Sequence, residues 1–234
     1  IKKNVKFNFN IIAEAQDVIN ENPDTIIIAT GGMPNLELFE TKKDLENVYT
    51  SWDIISGDIK LSKNILIYDE AGDHTAMQSA EIAIEQGSTV EFMTPDRLIS
   101  SEIMGMNLTP YLKNLQNKKI TYSIAKRLKD VSIKGNKLNA IIGSDYDENF
   151  KHSSTYDQIF LNYGVKPLDE LYFNLVSFSK NAGEVNYTKF IKGEAQNIIK
   201  NKNNKFNLYR IGDAVSSRNI HAAIYDALRL VINL

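Results

Sequence analysis

The sequence predicts the α/β class, with parallel sheets arranged as two nested domains. Apolar strand-like runs alternate with amphipathic helical segments along the 234 residues, and this alternation is typical of parallel sheets covered by helices. A compact strand–helix–strand unit at residues 64–93 has the length of a parallel crossover. A strand-and-turn frame also occurs twice, which indicates two related domains in one chain.

The composition is that of a globular protein without cysteine. Apolar residues make up 43% of the chain and charged residues 24%, which is not the balance of a disordered chain. The net charge of −2, without a basic stripe, gives no field to attract nucleic acid or an anionic membrane. Zero cysteines exclude disulfides, thiolate catalysis and Cys-ligated metal clusters within these residues. Apolar runs too short for a membrane span, and no visible secretory signal, predict a cytoplasmic protein.

Hydrophobic periodicity and turn residues place the individual elements. Before residue 58 we expect a strand at Val5–Phe9, a helix at Ile11–Asn20, a buried strand in "DTIIIATGGMP" and a capped helix in "TSWDIISG". The middle is predicted to hold a strand at Asn64–Tyr68, a helix at Thr75–Gln86, a strand at Thr89–Met93, a further helix and strand, a hairpin turning at residues 134–136 and a strand at Asp157–Leu161. A late strand in "KFNLYRIGDA" and an apolar helix in "RNIHAAIYDALRLVINL" follow.

The repeated frame joins a buried strand to a sharp turn and a rigid exit. Residues 24–34 ("DTIIIATGGMP") and 157–167 ("DQIFLNYGVKP") share an aspartate, three apolar residues, a glycine and a proline at the same spacing. Coincidence between two buried strands is one explanation. The sharper hypothesis is two homologous domains, with residues 1–57 and 166–234 forming the outer domain and residues 58–165 inserted into it.

The loop in "YDEAGDHTAMQSAE" lies where a dinucleotide-binding glycine loop would lie, but lacks its glycines. Its three glycine positions fall on Ala71, Asp73 and Ala76. An aspartate at the second position adds bulk and negative charge where a pyrophosphate approaches the backbone. The next strand ends at Thr94 and not at the acidic residue that binds ribose hydroxyls. NAD(P) binding is therefore disfavoured here, and a structural domain or an altered ligand is favoured.

Three residues of this loop remain candidate cofactor-binding residues: Gly72, Asp73 and His74. The start of the following helix offers unpaired N–H groups that can bind an anion, although Asp73 is itself a suitable N-cap for them. His74 either contacts a ligand phosphate or faces solvent.

The outer domain offers a second set of candidates at the ends of two strands, which we expect to lie side by side in one sheet. Thr30, Gly31 and Gly32 follow the first buried strand, and glycines permit positive φ and a close approach to a cofactor; a plain turn is the alternative. Gly212 and Asp213 end a late strand, where open α/β sheets bind ligands; the alternative is that Asp213 only caps a turn. Asn219 begins the final helix, beside Arg218 and His221, and is a further candidate.

The sequence gives little support for a metal site, a cation site or a catalytic nucleophile. The three histidines, His74, His152 and His221, lack ligand-like spacing with carboxylates, so no metal site is predicted. The acidic stretch "DYDEN" at residues 145–149 fits a solvated loop better than a cation site. No nucleophile motif such as G-x-S-x-G occurs, and no catalytic residue is predicted.

Several stretches together resemble a known family. The "ATGGMP" exit and the late "IGDA" before a C-terminal helix resemble pyridine-nucleotide-disulfide-reductase-like flavoproteins. The closer resemblance is to the C-terminal part of trimethylamine dehydrogenase, 2,4-dienoyl-CoA reductase and N-methyl-amine demethylases. It covers essentially the whole chain, and its most specific stretches are "YDEAGDHTAMQSAE", "MGMNLTPY", "PLDELYF" and "RIGDAVSSRNIHAAIYDALRL".

The resemblance implies two nested Rossmann-like domains, the outer one lacking its first phosphate loop. It implies FAD or ADP in the outer domain, with Asp213 accepting hydrogen bonds from ribityl or ribose hydroxyls. An N-terminal barrel with FMN and a 4Fe-4S cluster would precede Ile1 in the same polypeptide. A homo-oligomer and an electron-transfer protein are the implied partners.

The function implied is that of a C-terminal nucleotide-binding fragment of a flavin/iron–sulfur oxidoreductase. The eroded loop near Asp73 favours a methylated-amine dehydrogenase or demethylase, since such enzymes can pass electrons to a protein instead of a nicotinamide. The alternatives are a fragment of an NAD(P)H-dependent enoyl-CoA-type reductase and a non-catalytic structural module.

Overall fold

The structure, a computed structural model, describes residues 5–36 and 45–232 and divides into two compact units. Unit 1 comprises Ile1–Met33 and Val165–Leu234, and unit 2 comprises Pro34–Gly164. Residues 36–50 look irregular in the sequence, and residues 37–44 of that stretch lie outside the described residues.

The elements alternate along the chain as the α/β class requires. The helices among the described residues are α1 (Ala15–Asn20), α2 (Ser51–Ser56), α3 (His74–Glu85), α4 (Gly105–Leu115), α5 (Glu170–Val176), α6 (Tyr187–Lys192) and α7 (Ile220–Val231). The strands are β1 (Thr25–Ile28), β2 (Gly32–Pro34), β3 (Val48–Thr50), β4 (Asn64–Asp69), β5 (Thr89–Met93), β6 (Ile120–Ser123), β7 (Arg127–Lys134), β8 (Lys137–Gly143), β9 (His152–Tyr156), β10 (Gln158–Asn162), β11 (Val165–Pro167) and β12 (Asn207–Arg210). A short 3-10 helix spans Gly212–Ala214.

Unit 2 is built on a five-stranded parallel sheet in the order β3-β10-β4-β5-β6. Alternate residues of β4 face two different apolar layers, because successive side chains of a strand point to opposite faces. Ile65 and Ile67 pack with Met77 of α3, whereas Leu66 and Tyr68 pack with residues of β7, β8 and β9. Both faces of the sheet are thus covered, which explains the continuous apolar run in this strand.

A three-stranded antiparallel sheet, β7-β8-β9, covers one of those layers. The hairpin between β7 and β8 turns at Gly135, whose φ is +64°. This is the predicted hairpin, and its position is confirmed. Val131, Ala140 and Ile142 are among the buried residues that it contributes to the layer with Leu66 and Tyr68.

Unit 1 contains a parallel pair of strands, β1 and β12, with Ile26 opposite Leu208. Ile26, Ile28 and Leu208 pack against Tyr172 and Leu175 of α5. The strand that leads to Gly31 and the strand that leads to Gly212 are therefore neighbours in one sheet. This adjacency is what the sequence predicted for the two ends of the chain, and the α/β class is confirmed.

The repeated frame produces the same turn twice. Its glycines, Gly31 and Gly164, both have positive φ, +72° and +80°. Its prolines end the two short strands β2 and β11, which pair with each other in a two-stranded ribbon. A Cβ on Gly32 would lie 2.3 Å from Cγ1 of Val165, so this pairing requires glycine in β2.

The first boundary between the units differs from the one expected from the sequence. The sequence predicts that residues 34–57 belong to the outer domain, whose first part ends at residue 57. In the structure β3 pairs with β10, and Ile54 of α2 is buried with Ala76 and Ala80 of α3. Residues 34–57 accordingly belong to unit 2, and the division falls after Met33.

The N-terminal segment is less regular than its apolar pattern predicts. Residues 5–9 form no strand, and Phe7 and Phe9 stack on each other with centroids 5.8 Å apart. The first helix begins at Ala15 and not at Ile11, because Ile12 is 94% exposed and brings no buried face to an earlier turn. The predicted strand at Val5–Phe9 and the early helix start are thus wrong.

None of the helices in the described ranges, residues 5–36 and 45–232, has the length and apolar character needed to cross a lipid bilayer.

Candidate functional site

A cavity of about 540 Å³ lies in unit 1, at the carboxyl ends of β1 and β12. Ala29 and Gly31 border it from the segment after β1, Gly212 and Asp213 from the turn after β12, and Asn219 and Ile224 from the start of α7. The parallel pairing explains the gathering, because the ends of both strands reach the same edge of the sheet.

Four of the six predicted residues of the outer domain therefore line one cavity: Gly31, Gly212, Asp213 and Asn219. The other two are engaged elsewhere in unit 1. The hydroxyl of Thr30 donates to the carbonyl oxygen of Leu168, and Gly32 packs against Val165 in the ribbon. Thr30 and Gly32 shape the strand exit and are not part of the lining.

The glycines of the cavity have different roles. Gly31 has φ +72°, and a Cβ there would meet nothing within 4 Å, so its backbone stays open to the cavity. Gly212 has φ +61° and is buried, and a Cβ there would lie 3.3 Å from the Cβ of Ala223. Gly31 permits a ligand to approach, whereas Gly212 permits α7 to pack against the turn.

The polar groups of the cavity come from Asp213, Arg218 and Asn219. Asp213 Oδ1 accepts the backbone N–H of Arg218 at 3.3 Å. Asn219 is the N-cap of α7, and its Oδ1 accepts the N–H of Ala222 at 2.9 Å. Asn219 therefore caps α7, a role that its prediction as a cofactor-binding residue did not include. The remaining walls are apolar, from Ile211, Ile220 and Ile224.

In unit 2, backbone N–H groups in the loop between β4 and α3 and at the start of α3 donate hydrogen bonds to carboxylates of the same segment. Asp69 Oδ1 accepts the N–H groups of Ala71 at 3.2 Å and Gly72 at 3.0 Å. Asp73 is the N-cap of α3 and accepts the N–H of Thr75 at 2.9 Å. The Asn162 amide donates to both carboxylates, at 2.9 Å to Asp69 and 3.0 Å to Asp73. N–H groups of this loop are thus occupied by acceptors from within the unit.

Asp69 is fully buried, and its Oδ2 has no hydrogen-bond partner among the described residues. Burial, reinforced by the nearby charge of Asp73, raises the pKa of Asp69 to about 7, although the N–H groups of Gly72 and Ala71 and the Asn162 amide oppose the rise. Burial therefore keeps this carboxyl group protonated well above the pH at which an exposed aspartate ionises.

The other candidates of this loop point away from dinucleotide binding. Gly72 is covered, because a Cβ there would lie 2.7 Å from Ser101 Oγ. Its carbonyl accepts the N–H of Glu102 at 3.0 Å. His74 is exposed, and its Nδ1 lies 3.1 Å from the hydroxyl of Tyr111. The segment at Ser101 therefore packs against Gly72.

The described residues contain no group of three or more metal-ligating side chains that could hold an ion. The acidic stretch at residues 145–149 contributes Asp145 to an ion pair with Arg127, whose Nη2 lies 2.6 Å from Oδ2. This guanidinium lowers the pKa of Asp145. The stretch has a structural partner on β7.

The chain is similar to several curated proteins over almost its whole length. It is 50% identical over 230 residues to a probable N-methylproline demethylase of Rhizobium meliloti (strain 1021), covering 98% of this chain and 34% of the relative. It is 29% identical to an N,N-dimethylglycine/sarcosine dehydrogenase of Chromohalobacter salexigens, covering 93% of this chain and 33% of that relative. A multifunctional alkene reductase/demethylase of Caballeronia cordobensis is 28% identical, with 98% and 34% covered.

The chain belongs to the trimethylamine dehydrogenase and N-methyl-amine demethylase family of flavoproteins. The resemblance seen in the sequence is thereby confirmed. The chain spans about a third of the length of each of these relatives, 34%, 33% and 34%. No family model matches it.

Solved structures show that this family member has the expected fold. A 2-naphthoyl-CoA reductase complex superimposes with a TM-score of 0.74 at 20% identity, covering 98% of this chain and 30% of that one. The 6-hydroxypseudooxynicotine amine oxidase of Pseudomonas geniculata N1 gives 0.72 at 20% identity, with 94% and 30% covered. Thioredoxin reductase of Lactococcus lactis gives 0.62 at 18% identity, with 88% and 63% covered. The pyridine-nucleotide-disulfide-reductase-like, Rossmann-type architecture is confirmed.

Sequence reasoning missed two buried carboxylates in this family member. Asp226 lies on α7 between Ala223 and Leu230, at the spacing of the buried face of a helix. Asp69 ends a strand whose preceding four residues are all buried. In both cases the available signal was a charged residue at a position where the periodicity requires an apolar one.

Proposed function

We propose that unit 1 binds the FAD cofactor, or ADP, of a larger oxidoreductase. The observation that carries this proposal is the parallel pairing of β1 with β12, which brings Gly31, Gly212 and Asp213 to one cavity of about 540 Å³. Membership in a flavoprotein family with a 50% identical demethylase relative supports the same assignment.

The residues of the cavity fit part of such a cofactor. A carboxylate at Asp213 accepts hydrogen bonds from the hydroxyls of a ribityl chain or ribose. Ile220 and Ile224 offer apolar contacts to a ring system, and Gly31 leaves room for close approach. The described residues of unit 1 contain no G-x-G-x-x-G loop, so the pyrophosphate would need further N–H donors from elsewhere in the polypeptide. When bound, a flavin supplies electron transfer.

The rest of the proposal concerns the whole polypeptide. An N-terminal barrel with FMN and a 4Fe-4S cluster would oxidise a methylated amine, and this chain would be the nucleotide-binding part. Unit 2 would bind no NAD(P), and electrons would pass to a separate electron-transfer protein. A cytoplasmic homo-oligomer is the proposed setting.

A reductase is the second candidate function. The name of one relative, an alkene reductase/demethylase, favours it. The occupied loop at Asp69 and Asp73 disfavours it, because an NAD(P)H-dependent reductase needs those N–H groups for its dinucleotide. The third alternative, a structural module, predicts no nucleotide binding to either unit.

Activity assays of the full-length polypeptide separate these candidates. We expect oxidation of N-methylproline or another methylated amine with an artificial electron acceptor. We expect no oxidation of NADPH with an enoyl-CoA. The opposite pattern would replace the demethylase proposal with the reductase.

Replacing Asp213 with Asn should weaken the binding of ADP or FAD by about 10-fold, because a charge-assisted hydrogen bond to a hydroxyl is lost. Isothermal calorimetry on the cofactor-depleted full-length polypeptide measures the dissociation constants. Glu184→Gln, which removes an exposed ion pair with Lys200 in the same unit, is the matched control and should bind as the wild type does. Absence of wild-type binding at millimolar ADP and FAD would favour the structural module.

A further inference from the structure

A buried carboxylate on α7 lies beneath the turn that carries Asp213. Asp226 is 6% exposed and does not line the cavity. Its Oδ2 accepts the backbone N–H of Gly212 at 3.1 Å. The same carboxylate forms an ion pair with the guanidinium of Arg218. Asp226 therefore binds both Gly212, the first residue of the turn, and Arg218, which immediately precedes the N-cap of α7.

The two groups held by Asp226 flank Asp213 in sequence and in space. Gly212 precedes it, and the backbone N–H of Arg218 donates to Asp213 Oδ1 at 3.3 Å. Gly212, Asp213 and Arg218 all line the cavity. The segment from residue 212 to residue 218 is thus fixed at both ends by a carboxylate that stays outside the cavity.

This arrangement has a clear energetic basis. Gly212 lies in the left-handed region, at φ +61°, where its N–H needs a partner other than a regular ladder. A buried carboxylate is stable only when paired and hydrogen-bonded, and Arg218 together with the Gly212 N–H supplies both. Loss of the negative charge would leave the Arg218 guanidinium without its ion-pair partner and weaken the acceptor of the buried Gly212 N–H, which releases the turn.

We propose that Asp226 is a positioning residue for the nucleotide, which fixes the turn at residues 212–218 and thereby presents Asp213 to the ligand without touching the ligand itself. The ligand assignment rests on the proposed function, whereas the fixing of the turn does not. Because Asp226 acts through Asp213, the effects of Asp226→Asn and Asp213→Asn on the dissociation constant should not be additive.

The ligand arm of the test is calorimetry with ADP on the cofactor-depleted full-length polypeptide. Asp226→Asn should raise the dissociation constant by about 10-fold. In the Asp213→Asn background the same substitution should change it by less than about 2-fold. Glu184→Gln, which removes an exposed ion pair with Lys200, should leave the dissociation constant unchanged. Unchanged affinity in Asp226→Asn, or full additivity with Asp213→Asn, would overturn the positioning role.

The ligand-free arm is limited proteolysis of the same polypeptide. Trypsin should cleave after Arg218 faster when the segment is released from Asp226, and Asp226→Asn should accelerate this cleavage by about 10-fold, as measured by mass spectrometry of the fragments. If that variant fails to fold, Arg218→Lys keeps the cleavage site but loses the two-pronged pairing, and it should show the same acceleration.

The two arms distinguish the failure of the two proposals. If wild-type protein binds no ADP or FAD, the proposed function fails, and the proteolysis arm still decides whether Asp226 fixes the turn. If wild-type protein binds ADP but neither affinity nor cleavage responds to Asp226→Asn, the positioning role fails and the proposed function stands.

Discussion

Replacing Asp69 with Asn should make unit 2 more stable at pH 8 and remove most of the change in its stability between pH 4 and pH 7. Burial raises the pKa of Asp69 from 3.8 to about 7. In that interval the folded protein holds a proton that the unfolded chain releases, so wild-type stability falls as the pH rises. The full penalty, about 4 kcal/mol, is reached above pH 7.

Asparagine at position 69 keeps an oxygen for the N–H of Gly72 but removes the buried charge. We expect the free energy of unfolding at pH 8 to rise by about 2 kcal/mol, since part of the gain is offset by weaker hydrogen bonds. Urea unfolding followed by Trp52 fluorescence measures this directly, because Trp52 is the single tryptophan and lies in α2 of unit 2.

The control for this experiment is Glu85→Gln, which removes the same charge from an exposed position on α3. It should leave the slope of stability against pH between 4 and 7 as it is in the wild type. A wild-type stability that rises with pH through this interval would show that Asp69 is stably ionised in the folded unit, contrary to the burial argument.

Truncating Phe160 to Ala should destabilise unit 2 by about 4 kcal/mol, because it removes a large buried side chain and leaves a cavity. Phe160 is fully buried on β10, between β3 and β4. Its ring stacks on Tyr49 at 5.6 Å between centroids and packs in the same layer as Met77 of α3. The substitution therefore removes packing contacts that join three strands and one helix.

Phe150→Ala is the matched comparison, with the same atoms removed from a side chain that is 38% exposed in the same unit. It should cost less than about 1 kcal/mol. The midpoint of urea unfolding, again read from Trp52, gives both values. Equal losses in the two variants would mean that Phe160 does not lie in a tightly packed layer.

Sequence reasoning succeeded where local chemistry alone determines the outcome. The β-branched run at residues 25–28 became β1, and the helix in "TSWDIISG" begins after Thr50 and ends at Gly57, whose φ is +78°. It failed at Ile11 and Ile12, where an apolar pattern finds no surface to pack against. Burial, and not periodicity, determines whether such a short helix forms.

Some features of the candidate site could likewise be predicted from the sequence, and others could not. Gly31 and Gly212 could be placed together because the ends of parallel neighbours meet at one edge of a sheet, and the pairing of β1 with β12 bears this out. The boundary between the domains could not be predicted, because β3 pairs with β10 through residues 111 positions apart, such as Val48 and Ile159, and local sequence carries no sign of this pairing. The partners of Asp226 and Asp69 likewise exist only in the folded chain.

The internal acceptors of the loop between β4 and α3 have a consequence for thermal stability. A protein that binds a ligand only when folded becomes more resistant to heat as the ligand concentration rises, by mass action. Asp69 and Asp73 supply acceptors to that loop from within unit 2, and the proposed function leaves the unit without a nicotinamide nucleotide. Its melting temperature should then stay the same when NAD or NADPH is added.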